Sequence, residues 1–176
     1  MNRCLTSKDG HNASQKDRAV KIKRETVSKT PNLVLPTSNG GEFQLQCPDA
    51  PTVLFFYPKA DTPGCTTESK DFSLLKGEFD ALGVEIAGIS PDKPAKLEKF
   101  IAKHDLTVTL VSDESLEAAN ALGVWVEKSM YGKKYMGIER STFLIGKGGS
   151  ILEEWRKVRV KDHANKVLET VRGHFG

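Results

Sequence analysis

Cys65 stands at a boundary. An apolar, β-favouring run, Val53-Leu54-Phe55-Phe56-Tyr57, stops at Pro58, and a polar loop, Lys59-Ala60-Asp61-Thr62-Pro63-Gly64, leads to the cysteine. Behind it comes the helical pattern Thr66-Thr67-Glu68-Ser69-Lys70-Asp71-Phe72. A thiol at a strand-to-helix junction faces unpaired N–H groups and the positive end of the helix dipole. That environment favours the thiolate, the reactive form. The stem Pro58-x-x-x-Thr62-x-x-Cys65 supplies further chemistry. Pro58 has no N–H and offers an apolar ring to shield the sulfur. Thr62 carries a hydroxyl three residues before it, Pro63 stiffens the loop, and Gly64 permits close backbone approach. Glu68, one turn along, can orient an arginine. Arg140, just before the apolar run Ser141-Thr142-Phe143-Leu144-Ile145, is the candidate cation. A guanidinium keeps its charge and can stabilise both a thiolate and charge developing on oxygen.

Ionisation alone is a modest lever. An ordinary thiol is about 3% thiolate at neutral pH, so complete ionisation gains only about 30-fold. Fast attack of such a thiolate on a small oxidant would therefore also need transition-state stabilisation from Thr62, the N–H groups and Arg140. Each residue also has a plainer reading. Cys65 fits an inert buried thiol. Arg140 fits a surface pair with Glu139 or Glu153, Thr62 a helix-capping hydroxyl, and Glu68 a helix-start carboxylate. The histidines His11, His104, His163 and His174 are scattered, which argues against a Cys–His pair and against metal-ligand spacing.

Elements that would position these residues follow from periodicity. Thr30 to Pro36 is a short extended piece, and Glu42 to Cys47 alternates as a half-buried strand. Thr52–Tyr57 reads as a buried central strand, Cys65 to about Leu82 as a helix, and Gly83–Ser90 as a second buried strand. Pro91–His104 predicts a helix, Thr107–Val111 a strand, and Ser115–Leu122 a short helix. Trp125, Met130, Tyr131, Tyr135 and Met136 mark a loop or edge hairpin near the site. Ser141–Ile145 and Ile151–Trp155, joined by Lys147-Gly148-Gly149-Ser150, predict a β-hairpin. His163–Val171 predicts a closing helix. Strand–helix alternation followed by a hairpin implies an α/β fold, a mixed central sheet with helices on both faces in the thioredoxin-like plan.

The basic charge is uneven. Residues 1–30 hold eight Lys/Arg against three Asp/Glu, whereas the remainder holds 18 against 20. Residues 1–26 read as a basic, flexible tail and 27–176 as the folded domain. The tail has no aromatic residue, which disfavours nucleic-acid binding. No apolar run approaches the roughly 20 residues of a membrane span, and the start lacks the apolar region of a secretory signal. Three widely spaced cysteines suit a reducing, cytoplasmic setting.

The run Phe55-Phe56-Tyr57-Pro58-Lys59-Ala60-Asp61-Thr62-Pro63-Gly64-Cys65-Thr66-Thr67-Glu68 resembles the active-site signature of peroxiredoxins, in particular the bacterioferritin comigratory protein, or Q-type, branch. Ile138-Glu139-Arg140-Ser141-Thr142-Phe143-Leu144-Ile145 resembles that branch's arginine-bearing strand, and the surroundings of Trp155 and His163 fit it too. The resemblance implies a thiol-dependent peroxidase acting on hydrogen peroxide and organic hydroperoxides, with Cys65 peroxidatic, cycling through a sulfenic acid. Thr62, Pro58 and Arg140 would match the family's other catalytic positions. No cofactor and no metal are implied. Expected partners are a peroxide and a thiol reductant such as thioredoxin, glutaredoxin or a small thiol, on a monomer or weak dimer. Many members carry a resolving cysteine five residues after the peroxidatic one, where this chain has Lys70, or on the following helix, which has none. That departure favours a one-cysteine mechanism resolved by an external thiol, with Cys47 and Cys4 as possible resolving residues. An alternative is a redox-responsive binding or chaperone protein on the same fold. A Cys-x-x-Cys oxidoreductase is disfavoured because Glu68 stands three residues after Cys65.

Overall fold

The computed structural model describes residues 28–176. The expectations for the 1–26 tail and for Cys4 lie outside these residues.

The centre is a five-stranded mixed sheet in the order β5-β4-β3-β8-β9. The middle strand is β3 (Thr52–Phe56), with all five residues buried. It runs parallel to β4 (Glu85–Ser90) and antiparallel to β8 (Ser141–Ile145). Strand β5 (Thr109–Ser112) extends the parallel side, and β9 (Ile151–Trp155) forms the antiparallel edge. Continuous β-branched and aromatic runs are what a strand covered on both faces requires. Two short pairs stand apart from this sheet. One is β1 (Val34–Pro36) with β2 (Glu42–Gln44), the other β6 (Trp125–Met130) with β7 (Lys133–Ile138). The half-buried strand expected to reach Cys47 therefore ends at Gln44 and joins β1 instead of the central sheet.

Helix α1 (Pro63–Ala81) links β3 to β4, and α2 (Pro94–His104) links β4 to β5. Both begin with proline, whose fixed φ suits the first helical position. Helix α1 stops where Gly83 takes a positive φ and its N–H bonds the Asp80 carbonyl. Helix α3 (Glu117–Ala121) is one short turn and α4 (His163–Phe175) closes the chain. One face of the sheet packs Phe55 and Tyr57 against Phe72 and Phe79 of α1, Phe100 of α2 and Val167 of α4. The other packs Leu54, Phe56 and Phe143 against Ala118 and Ala119 of α3. Helices thus cover both faces, as the sequence implied. Gly88 is required by close approach, because a Cβ there would lie 2.6 Å from the Phe55 ring. The segment around Tyr131 is a true hairpin, turned by Tyr131 and Gly132 at positive φ.

Candidate active site

The loop after β3 is pinned at several points. The Tyr57 N–H donates to the Ile89 carbonyl at 3.0 Å, and the Ala60 N–H to Asp92 Oδ2 at 2.7 Å. Asp92 is itself held by Ser90 Oγ at 3.0 Å and Lys96 Nζ at 2.5 Å. Asp61 adopts a positive φ and accepts Lys103 Nζ and His104 Nε2, each at 2.7 Å. Both ends of α2 therefore grip the loop. Pro58 closes β3 and is half-buried.

Thr62 is the extended residue before α1, and its carbonyl accepts the first helical N–H, that of Thr66, at 2.9 Å. The N–H groups of Gly64 and Cys65 precede that bond and belong to the unpaired first turn. Cys65 is the third helical residue, inside the region where the helix dipole acts. The Thr62 hydroxyl donates to the Lys59 carbonyl at 2.9 Å. It neither caps the helix, as its plainer reading had it, nor bonds the sulfur, but it shapes the loop that leads to it.

Arg140 precedes β8, and its main chain is fixed by the Val158 N–H, which donates to its carbonyl at 2.9 Å. Residues 140, 142 and 144 alternate onto the face covered by α1. From there the guanidinium reaches α1 as a fork. Nη2 donates to Cys65 Sγ at 3.2 Å and Nη1 donates to Glu68 Oε2. Cys65 and Glu68 are each 1% exposed, and the Arg140 side chain 17%. A surface pair with Glu139 or Glu153 is corrected: Glu139 binds Arg156 and Glu153 binds His174. The helix-start reading of Glu68 is corrected as well. Because α1 begins at Pro63, Glu68 lies in its second turn and turns inward to the guanidinium. Gly64 needs no special pleading, since a Cβ there would meet Arg140 Nη2 at an ordinary 3.4 Å.

Electrostatics follow burial. Desolvation pushes the Glu68 carboxyl up to about 7, against the pull of Arg140. Burial works to lower Arg140, but the Glu68 and Cys65 charges hold it above its ordinary value. Burial raises the Tyr57 phenol and lowers Lys128 of β6, the latter helped by Arg140. Two positions along β8, Thr142 Oγ1 and His163 Nε2 share a buried 2.8 Å hydrogen bond, and burial brings His163 down to about 4. The His163 ring packs edge-on against Phe72 and Trp155.

Cys47 is not brought to Cys65. With Glu85 and Thr109, the residues that open β4 and β5, it lines a cavity of about 300 Å³ at the amino ends of the parallel strands. Cys65 follows their carboxyl ends. The length of β3, about 13 Å at 3.3 Å per residue, lies between the two. The sequence reading missed Asp92, the anchoring of Asp61, and the Thr142–His163 pair. Asp92 was legible in principle as a carboxylate just beyond the carboxyl end of a buried strand. The other two depend on contacts between residues 21 to 43 positions apart.

Comparison with known proteins agrees with this geometry. Residues 27–154 match the AhpC/TSA family. The chain is 46% identical to Peroxiredoxin Bcp of Bacillus subtilis over 149 residues, 84% of this chain and 95% of that one. It is 47% identical to Peroxiredoxin Bcp of Xanthomonas campestris pv. campestris over 122 residues, covering 69% and 76%. A solved structure of the Xanthomonas campestris bacterioferritin comigratory protein, determined for insight into its alkyl peroxide reduction activity, superposes with a TM-score of 0.79. It is 40% identical, with 86% of this chain and 100% of that chain covered. Peroxidoxin BcpB of Mycobacterium tuberculosis superposes with a TM-score of 0.70 at 33% identity, covering 83% and 97%. Family match, relatives and a cysteine held under an arginine fork all converge: the chain belongs to the AhpC/TSA family and, within it, to the peroxiredoxins of the bacterioferritin comigratory protein branch, which are thiol-dependent peroxidases.

Proposed function

We propose that Cys65 reduces hydrogen peroxide and organic hydroperoxides by a one-cysteine mechanism in which an external thiol regenerates the enzyme. The observation that carries the peroxidase reading is the guanidinium of Arg140, which donates to Cys65 Sγ at 3.2 Å while Glu68 holds its other arm. The thiolate attacks one oxygen of the peroxide, an S–O bond forms, and the O–O bond breaks. Arg140 and the free N–H groups of Gly64 and Cys65 stabilise the charge that develops. Thr62, Gly64 and Arg140 are the partly exposed groups next to a buried sulfur, so a peroxide approaches from their side.

One-cysteine resolution is favoured by the distant placement of Cys47 and by Lys70 at the position where many relatives carry a resolving cysteine. The reductant is then a thiol in solution or on a partner such as thioredoxin or glutaredoxin, and the setting a reducing cytoplasm. No helix among the described residues is long and apolar enough to cross a membrane. Peroxide consumption with dithiothreitol tests the peroxidase reading. Cys65→Ser is expected to abolish it, and activity that survives would reject Cys65 as the peroxidatic residue; a wild type that consumes no peroxide would favour the alternative of a redox-responsive binding or chaperone protein. Mass spectrometry after one equivalent of peroxide without reductant tests the resolving step. A sulfenic or further oxidised Cys65 is expected, and an intramolecular disulfide of Cys65 would overturn one-cysteine resolution.

A further inference from the structure

Two buried acidic groups share one guanidinium. Cys65 and Glu68 are three residues apart on α1, spacing that makes their side chains neighbours. Each takes one arm of Arg140. Both are sealed from solvent, and Oε1 of Glu68 has no hydrogen-bond partner among the described residues. A single cation cannot compensate two buried anions at once, and an ionised carboxylate with an orphan oxygen is costly where water is excluded. The cheapest charge state leaves one proton between the pair.

We propose that Glu68 is a proton-holding residue for the peroxidase cycle: it takes the proton that the Cys65 thiol gives up and returns it to the oxygen leaving the peroxide. The proposal rests on the peroxidase reading of Cys65. In the oxidative step, Cys65 thiolate, peroxide ROOH and the protonated Glu68 carboxyl become Cys65 sulfenic acid, ROH and the Glu68 carboxylate. Sulfur loses two electrons to the peroxide, and the proton on the product alcohol or water is Glu68's. Once the sulfur is neutral, Arg140 has a single anion to serve, which favours release of that proton. In the return steps one reductant thiol condenses with the sulfenic acid, releasing water, and a second displaces it as a disulfide. Cys65 then re-forms as a thiol, whose proton passes back to Glu68. The raised carboxyl described above fits this role, because Glu68 can hold a proton near neutral pH.

Other charged groups face this pair. Asp71 on α1 raises the Glu68 carboxyl further. Lys128 of β6 and His163 of α4 both feel the guanidinium, and the Tyr57 phenol feels both Cys65 and Glu68. None of them contacts Glu68 through a hydrogen bond among the described residues, so Arg140 sets the exchange.

Single-turnover mixing of reduced protein with one equivalent of hydrogen peroxide, in weak buffer with a pH indicator, reads the proton directly. Thiolate content is read beforehand by absorbance near 240 nm. At pH 6 the wild type is expected to take up well under half a proton per thiolate consumed. Uptake should rise toward one proton by pH 8.5, where Glu68 is already ionised. Glu68→Gln should take up about one proton per thiolate at both pH values. Uptake of one proton at pH 6 by the wild type, which is also the stoichiometry expected of Glu68→Gln at that pH, would overturn the proposal. The wild-type pH series decides the matter alone if the variant does not fold. A second readout separates holding from mere positioning. If Glu68 competes for Arg140, Glu68→Gln makes Cys65 alkylatable by iodoacetamide at lower pH; if it only aims the guanidinium, the profile moves to higher pH, which would also overturn the proposal. A wild type that consumes no peroxide fails the peroxidase reading itself, a result distinguishable from any of these.

Discussion

Two neighbouring positions on the same face of the arginine-bearing segment solve the problem of buried polarity in opposite ways. At position 142 a threonine hydroxyl meets His163 at 2.8 Å, with aromatic rings on either side. Both members are neutral, and the histidine is driven down to about 4. At position 140 a guanidinium serves a thiol and a carboxyl together, and one carboxyl oxygen is left without a partner. Burial opposes charge in both places, by the same physics. The neutral pair satisfies it by shedding the proton from histidine, the charged cluster by retaining one on a carboxyl. A closed, satisfied pair has nothing left to donate, whereas an over-subscribed cation is the place where protons and electrons can move.

Substitution of the two positions tests this difference most strongly. Arg140→Ala is expected to lower the second-order rate constant with peroxide by about one hundredfold, the cost of losing a charged transition-state donor. Thr142→Val should change it by no more than a few-fold. A stopped-flow comparison decides, and equal losses at the two positions would erase the distinction. Arg140→Ala should also cost about 3–5 kcal/mol of stability wherever Glu68 is ionised, because it strands a buried charge.

Stability against pH separates the two buried titrating groups by sign. The Glu68 carboxyl is raised from 4.5 to about 7, so the folded protein keeps a proton that the unfolded chain releases. Its contribution is fully present below 4.5 and is lost as pH rises through 7. At about 1.4 kcal/mol per unit the change is at most on the order of 3 kcal/mol. His163 is lowered from 6.5 to about 4, so the unfolded chain binds the extra proton. Its contribution is fully present above 6.5 and is lost as pH falls toward 4. Between pH 5 and 6.5 the two slopes oppose each other and partly cancel. Urea unfolding across pH 4–8 should show Glu68→Gln stable relative to wild type at high pH and weak at low pH. His163→Gln should flatten the acid limb while keeping a donor for Thr142. A pH-independent difference for either variant would contradict the assigned titration.

The smallest expected effect is at Gly64. A methyl group there makes only an ordinary 3.4 Å contact with Arg140, and the backbone φ is not in the left-handed region. Gly64→Ala should therefore change peroxide turnover less than threefold. A large loss would mean that the glycine's role is in admitting substrate and not in accommodating the fork.

Much of this was legible along the chain. Largely apolar runs located β3, β4 and β8 to within two residues, because a strand buried on both faces carries mostly apolar residues and few polar ones. The helix expected from Cys65 to about Leu82 matches α1 at its far end, but Pro63 opens it two residues earlier and so places Cys65 third in its first turn. Short, partly exposed pieces were less legible. The strand expected at Glu42–Cys47 shrank to three residues, since a run of alternating polarity does not say which partner it will find.

Local order in the sequence thus determined the strand–loop–helix that lifts a cysteine to a helix N-terminus and the strand that Arg140 precedes. Only the folded chain decided that the guanidinium would fork between Cys65 and Glu68, that Thr62 would spend its hydroxyl on Lys59, and that Cys47 would lie a strand's length away. Periodicity and capping act over a few residues. The fork joins positions 72 and 75 residues apart, and such pairings are set by which strands lie side by side in the sheet.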